Sequence, residues 1–110
     1  AAGDRLLREF AEILRMFARN TDVCARVGGE EFAVLLVETG GREAQMVAER
    51  LCERIRQTRF AVQGATAGIP ASIGQASLGG ASQSLESLYK AADQALYMAK
   101  RLGRDRVESA

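Results

Sequence analysis

Two carboxylates, Glu30 and Glu31, follow two glycines, Gly28 and Gly29, inside the run Arg26-Val27-Gly28-Gly29-Glu30-Glu31-Phe32-Ala33-Val34-Leu35-Leu36. Adjacent acids at the foot of a turn offer hard oxygen donors to a divalent cation. Paired glycines favour a hairpin, because central turn residues can take positive φ there without a Cβ clash. They also leave bare backbone that a ligand can approach closely. The plainer reading is a Gly-Gly hairpin with two solvated glutamates, and this stretch taken alone favours it.

The elements around the turn have to position those acids. Asp22–Val27 reads as a strand entering it, with Val23, Ala25 and Val27 on one face. Glu31–Val37 is a continuous apolar run of the kind buried on both faces. Upstream, Leu6, Phe10, Ile13, Leu14 and Phe17 recur at helical spacing, with Asp4 as an N-cap, and predict a helix from about residue 4 or 5 to Arg19. A second helix runs through Ala44, Ala48, Leu51, Cys52 and Ile55 to about Gln57. Phe60–Val62 is a short edge strand, Gly64–Gly68 a small flexible segment, and Ala71–Leu78 another strand after the single proline, Pro70. Gly74 inside that strand predicts a bulge or a close backbone contact. A third helix spans about Ser84 to Leu102, closed by Gly103 at C′ with Lys100 and Arg101 in its last turn. Arg106-Val107 adds a terminal strand. This order predicts one sheet, largely antiparallel around the central hairpin, covered by amphipathic helices.

Composition narrows the chemistry. The 110 residues suffice for one small domain, and 47% hydrophobic content is ordinary for a packed core. A net charge of +1 gives no bulk attraction to a nucleic-acid polymer or a membrane. There is no His, so imidazole ligation and imidazole acid–base chemistry are excluded. Of the 15 basic residues only Lys90 and Lys100 are Lys; Arg suits phosphate and guanine edges, and a GC-rich genome accounts for the bias equally well. Cys24 and Cys52 have no metal-like spacing and read as reduced core thiols. With no apolar run of spanning length and no signal peptide, the expected location is cytoplasmic, whether or not a larger parent is membrane-anchored.

The run at residues 26–36 resembles the GGDEF family of diguanylate cyclases in its Gly-Gly-Glu-Glu-Phe variant. Three other stretches carry the same resemblance. Ala91-Ala92-Asp93-Gln94-Ala95-Leu96-Tyr97-Met98-Ala99-Lys100-Arg101-Leu102-Gly103-Arg104-Asp105-Arg106-Val107 is similar to the family's terminal helix signature, Ser72-Ile73-Gly74 to its Ser-Ile-Gly strand, and Gly3-Asp4 to the Gly-Asp that opens its second helix. The resemblance covers essentially the whole chain. It implies an α/β (α+β) fold like that of nucleotide cyclases, with a mixed, largely antiparallel sheet and flanking helices. It implies a homodimer in which two GTP molecules condense into cyclic di-GMP with release of two pyrophosphates, and a Mg²⁺ or Mn²⁺ cofactor.

Residue roles follow from the same resemblance. Gly28 and Gly29 let the turn backbone lie against GTP. Glu31 ligates the metal, and Glu30 sits near the ribose or metal as a candidate to help deprotonate the 3′-hydroxyl. Both acids reach one site only if the turn distorts the pleat, because neighbours on a regular strand point to opposite faces. Asp4 accepts hydrogen bonds from guanine N1–H and N2–H₂, and Lys100 and Arg104 hold the triphosphate. Read without the resemblance, Asp4 is a plain N-cap and the two cations complement a helix C-terminus. Arg19-Asn20-Thr21-Asp22, with five residues between Asp22 and Gly28, is similar to the family's inhibitory product site for cyclic di-GMP. Arg50 either completes that site or is a solvated residue near Glu49 and Glu53.

The chain also departs from the family pattern. The family's Asp-x-Leu-Thr-Gly-Leu-x-Asn-Arg segment, the strand with its first metal-binding Asp and a guanine-pairing Asn do not occur in these residues. The expectation is a GGDEF domain lacking its N-terminal strand and helix, inactive on its own within an active parent. Two other functions compete with the cyclase: a non-catalytic receptor for cyclic di-GMP, using Arg19, Asp22 and Arg50, and a scaffold that only dimerises.

Overall fold

The computed structural model describes residues 2–18, 23–28, 31–36, 40–62, 64–69, 71–77 and 84–110, with only the backbone described at 2–4, 23–28, 31, 35 and 62. The chain runs α1 (Ala2–Phe17), β1 (Val23–Gly28), β2 (Glu31–Leu35), α2 (Gly41–Gln57), β3 (Arg59–Val62), β4 (Ala65–Gly68), β5 (Ser72–Gln75), α3 (Leu85–Arg101) and β6 (Arg106–Ser109).

Each helix forms where apolar residues repeat at helical spacing. In α1 that stripe buries Ile13 and Leu14. The helix begins at Ala2, so Asp4 lies in its first turn and is not the N-cap expected from the sequence. In α2 the buried residues are Ala48, Cys52 and Ile55, spaced four and three apart. Thr58 then turns extended, with ψ 136, and leads directly into β3. Helix α3 opens with a reciprocal cap: Ser84 Oγ accepts from the Ser87 amide, and Ser87 Oγ accepts from the Ser84 amide.

The core gathers Ile13, Ile55, Phe60 and Ala71, with Leu6, Phe10, Phe17, Leu51, Ile69 and Ile73 packed around them. It lies where α1 and α2 meet β3 and the start of β5. Ile55 and Phe60 are its deepest side chains, at 0% and 1% exposure. Burying a side chain of that size stabilises the fold by about 2–3 kcal/mol. Among the described residues no polar or charged side chain is buried, so the interior carries no ionic network.

The strands depart from the expected single sheet. Among the described residues they form three separate two-stranded ladders. β1 pairs with β2 and β3 with β4, both antiparallel, whereas β5 pairs with β6 in parallel. The parallel pair has a plain cause. Parallel neighbours need a long crossover, and α3 is that crossover, carrying the chain from the end of β5 back to its start. β4 was expected to be flexible, since Ala-Thr-Ala-Gly has little strand propensity. The tight turn at Gly64, φ 82, folds it back so that Phe60 faces Ala67 and Ala61 faces Thr66. β2 was expected to be buried on both faces, but Phe32, Ala33 and Val34 are half-buried.

Gly74 shows why β5 and α3 lie so close. A Cβ at this position would stand 2.2 Å from the Ala92 carbonyl oxygen and 2.2 Å from the Leu96 amide nitrogen. The β5–β6 register is unbroken through Gly74, so the glycine serves a close backbone contact and not a bulge. No helix among the described residues is long and apolar enough to cross a membrane.

Candidate functional site

The hairpin is the first part of the site. Cys24 faces Val34, Ala25 faces Ala33 and Arg26 faces Phe32, after which the register shifts and Gly28 faces Glu31. Val27 is therefore the extra residue of a bulge, which breaks the alternation of the pleat beside the acids. Gly28 is a paired strand residue and does not lie at the centre of a turn. Gly29 and Glu30 lie outside the described residues, as does the side chain of Glu31. The hairpin meets α1 through Phe32, whose ring lies 5.4 Å from that of Phe10 at 31°. That contact links the hairpin to the helix whose first turn holds the Asp4 backbone.

The second part is the end of α3. Lys100 is half-buried in its last turn, and Arg104 is exposed just beyond it. Gly103, Arg104 and Asp105 all have positive φ, at 118, 62 and 48. Gly103 is the expected C′ glycine, and the Arg104 amide donates to the Ala99 carbonyl at 2.9 Å in the Schellman pattern. Two consecutive non-glycine residues in the left-handed region are uncommon and need support from their surroundings. Arg56 on α2 supplies it. Its Nε donates to both carboxylate oxygens of Asp105 at 3.1 Å, and Nη2 donates to the Asp105 carbonyl at 3.3 Å. Arg56 also pairs with Glu53, and Nη2 lies 3.8 Å from Cys52 Sγ. The hydrogen bond to Asp105 holds Arg56 more firmly charged than usual. Burial pushes the Cys52 thiol up, with the Arg56 charge pulling the other way.

The sequence assigns no role to Arg56 or Asp105. They lie 49 positions apart, and only the left-handed tolerance of Asp after Gly103-Arg104 hints at an unusual turn. Arg50 stands exposed on α2, lining a shallow surface depression with Arg42, Gln45, Met46 and Glu49. Arg19 and Asp22 lie outside the described residues. Gly28 and Glu31 thus lie on the β1–β2 hairpin, and Lys100 and Arg104 at the end of α3 and just beyond it.

The donor set at the hairpin suits a hard divalent cation. Mg²⁺ takes one or two carboxylates and completes its shell with water and substrate phosphate. Among the described residues no cluster of three metal-ligating side chains occurs.

Helices on mixed strand ladders, with an acid-bearing hairpin and a cationic helix end, define an α/β domain of nucleotide-cyclase-like fold. The GGDEF family, described as diguanylate cyclase, GGDEF domain, matches residues 1–106, and the chain belongs to that family. Diguanylate cyclase A of Treponema denticola is 40% identical over 107 residues, covering 97% of this chain and 29% of that protein. The chain therefore spans less than a third of that relative's length. Among solved structures, the active GGEEF domain of a diguanylate cyclase from Vibrio cholerae superposes with a TM-score of 0.88 at 33% identity, covering 98% of this chain and 68% of that one. The coiled coil and GGDEF domain of DgcB from Caulobacter crescentus, in complex with c-di-GMP, gives a TM-score of 0.87 at 26% identity, covering 97% of this chain and 57% of that one.

Proposed function

We propose that the chain is the catalytic GGDEF domain of a cytoplasmic diguanylate cyclase, which condenses two GTP molecules into cyclic di-GMP between two facing copies. The observation that carries this reading is the Gly28–Glu31 hairpin with its bulge, in a chain that matches the family over residues 1–106. The 3′-hydroxyl oxygen of one GTP attacks the α-phosphorus of the other. The bond to the β-phosphate oxygen breaks, pyrophosphate leaves, and the exchange repeats to close the ring. Catalysis of this kind rests on positioning and charge neutralisation.

Gly28 and Gly29 keep the turn narrow enough for the nucleotide to approach. Glu30 accepts the proton of the attacking hydroxyl. Asp4 receives guanine N1–H and N2–H₂, and Lys100 and Arg104 hold the polyphosphate. Glu31 holds Mg²⁺ or Mn²⁺, which when bound neutralises phosphate charge and polarises the reacting P–O bond. With only Glu30 beside Glu31, the 110 residues alone bind metal weakly and are expected to make no product.

The test is chromatographic separation of nucleotides after the full-length protein is incubated with GTP and Mg²⁺. Cyclic di-GMP should appear and should fall by about 100-fold or more in Glu31→Gln. Cyclic di-GMP formed at an unchanged rate by Glu31→Gln refutes the assignment of Glu31.

A second reading draws on the likeness to DgcB, solved in complex with c-di-GMP. Arg19 and Asp22, with Arg50 completing the site, bind cyclic di-GMP and inhibit the enzyme. In a protein that makes no product, the same residues make it a receptor.

A further inference from the structure

Arg56 of α2 reaches the turn leaving α3, and the hydrogen bonds it makes there fall on Asp105. Nε bridges both carboxylate oxygens, while Nη2 takes the main-chain carbonyl. Side chain and backbone of a single residue are thus gripped at once by a planar fork, which a point charge cannot do. The residue gripped is the second of two consecutive non-glycine residues at positive φ, and the first is Arg104. The Arg104 backbone is also held within its own segment, by the amide bond to Ala99 and by Arg106 Nε donating to the Arg104 carbonyl at 3.3 Å. Of these contacts on Arg104 and Asp105, those from Arg56 alone come from outside the connection and the two elements, α3 and β6, that it joins. The side chains of Arg56 and Asp105 are 44% and 38% exposed, and a pair so exposed adds little to stability. Its effect is on geometry.

We propose that Arg56 is a positioning residue: by forking onto Asp105 it holds the Gly103–Asp105 turn left-handed, and so fixes where Arg104 projects toward the polyphosphate of a bound nucleoside triphosphate. This rests on the reading of Arg104 as a polyphosphate ligand. Without the fork, Asp105 relaxes toward negative φ, and Arg104, one peptide away, leaves the backbone in a different direction. The loss concerns phosphate contacts and leaves guanine recognition intact.

The experiment is a double-mutant cycle on the full-length protein, reading KM and kcat for GTP together with thermal melting. Arg104→Met is expected to raise KM for GTP about tenfold, and Arg56→Met about fivefold, with kcat changing less than about twofold. The double variant should match Arg104→Met alone, because Arg56 acts only through Arg104. Asp105→Ala, which removes the carboxylate anchor but keeps a Cβ that disfavours positive φ, should reproduce the Arg56→Met effect even if Arg56→Met itself folds poorly. Arg56→Lys should recover only part of the affinity. Melting temperatures of Asp105→Ala and the parent should agree within a few degrees. If Arg56→Met and Asp105→Ala both leave KM unchanged, or if Arg56→Met and Arg104→Met multiply in full, the positioning role is refuted while Arg104 remains a ligand. A wild-type KM in Arg104→Met refutes that reading of Arg104, and the positioning role with it.

Discussion

Cys52 sits where three parts of the molecule meet, and it is buried at 1% exposure beneath Arg56. Its thiol is a weak donor toward the Ala71 carbonyl at 3.9 Å. Burial raises its pKa above the ordinary thiol value of about 8.5. The sign follows from linkage. In the unfolded chain the thiol ionises first, so the unfolded state binds fewer protons as pH rises past about 8.5. The stabilisation is complete below that pH and is lost as the pH climbs toward and through the raised folded value. Urea unfolding at several pH values between about 7.5 and 10 should show a steeper alkaline loss in the parent than in Cys52→Ala. Equal slopes would remove the buried-thiol account. Arg19 carries a second prediction at this scale. Calorimetric titration of the full-length protein with cyclic di-GMP should give heat that Arg19→Ala abolishes, and undiminished binding by Arg19→Ala sinks the product-site reading.

At the scale of elements, the close seating of α3 on β5 depends on a single missing side chain. A methyl group at Gly74 has backbone of α3 in its way, at Ala92 and Leu96, and neither can swing aside as a side-chain tip can. Gly74→Ala is expected to cost about 3 kcal/mol, read as a lower urea midpoint with an unchanged slope. A cost below about 0.5 kcal/mol would mean that α3 is free to move away from β5. This contact was legible in the sequence, because a glycine inside a strand-like run weakens the strand unless a bulge or a neighbouring backbone requires it. The three helices were legible for a similar reason: their apolar residues repeat every three or four positions, and Ser84 and Gly103 mark the ends of the last one. β4 was not, since Ala-Thr-Ala-Gly takes its strand form only from the ladder with β3. The parallel direction of β6 was hidden too, because a terminal Arg-Val pair says nothing about which neighbour it joins.

For the whole molecule, the β1–β2 hairpin was readable from residue types and spacing alone. The support behind Arg104 was not, since Arg56 and Asp105 are 49 positions apart and meet only once α2 and α3 have folded onto the same strand pair. The bulge at Val27 was also invisible, because a one-residue register shift leaves no mark on composition. The fate of the GTP phosphates reports on the proposed cyclase chemistry most directly. The full-length protein should be incubated with Mg²⁺ and GTP labelled separately at the α- and γ-phosphates. All consumed α-label is expected in cyclic di-GMP and all consumed γ-label in pyrophosphate, with two pyrophosphates released for each cyclic dinucleotide. γ-Label appearing as inorganic phosphate, or α-label remaining in GTP in a folded protein with Glu31 intact, would contradict it.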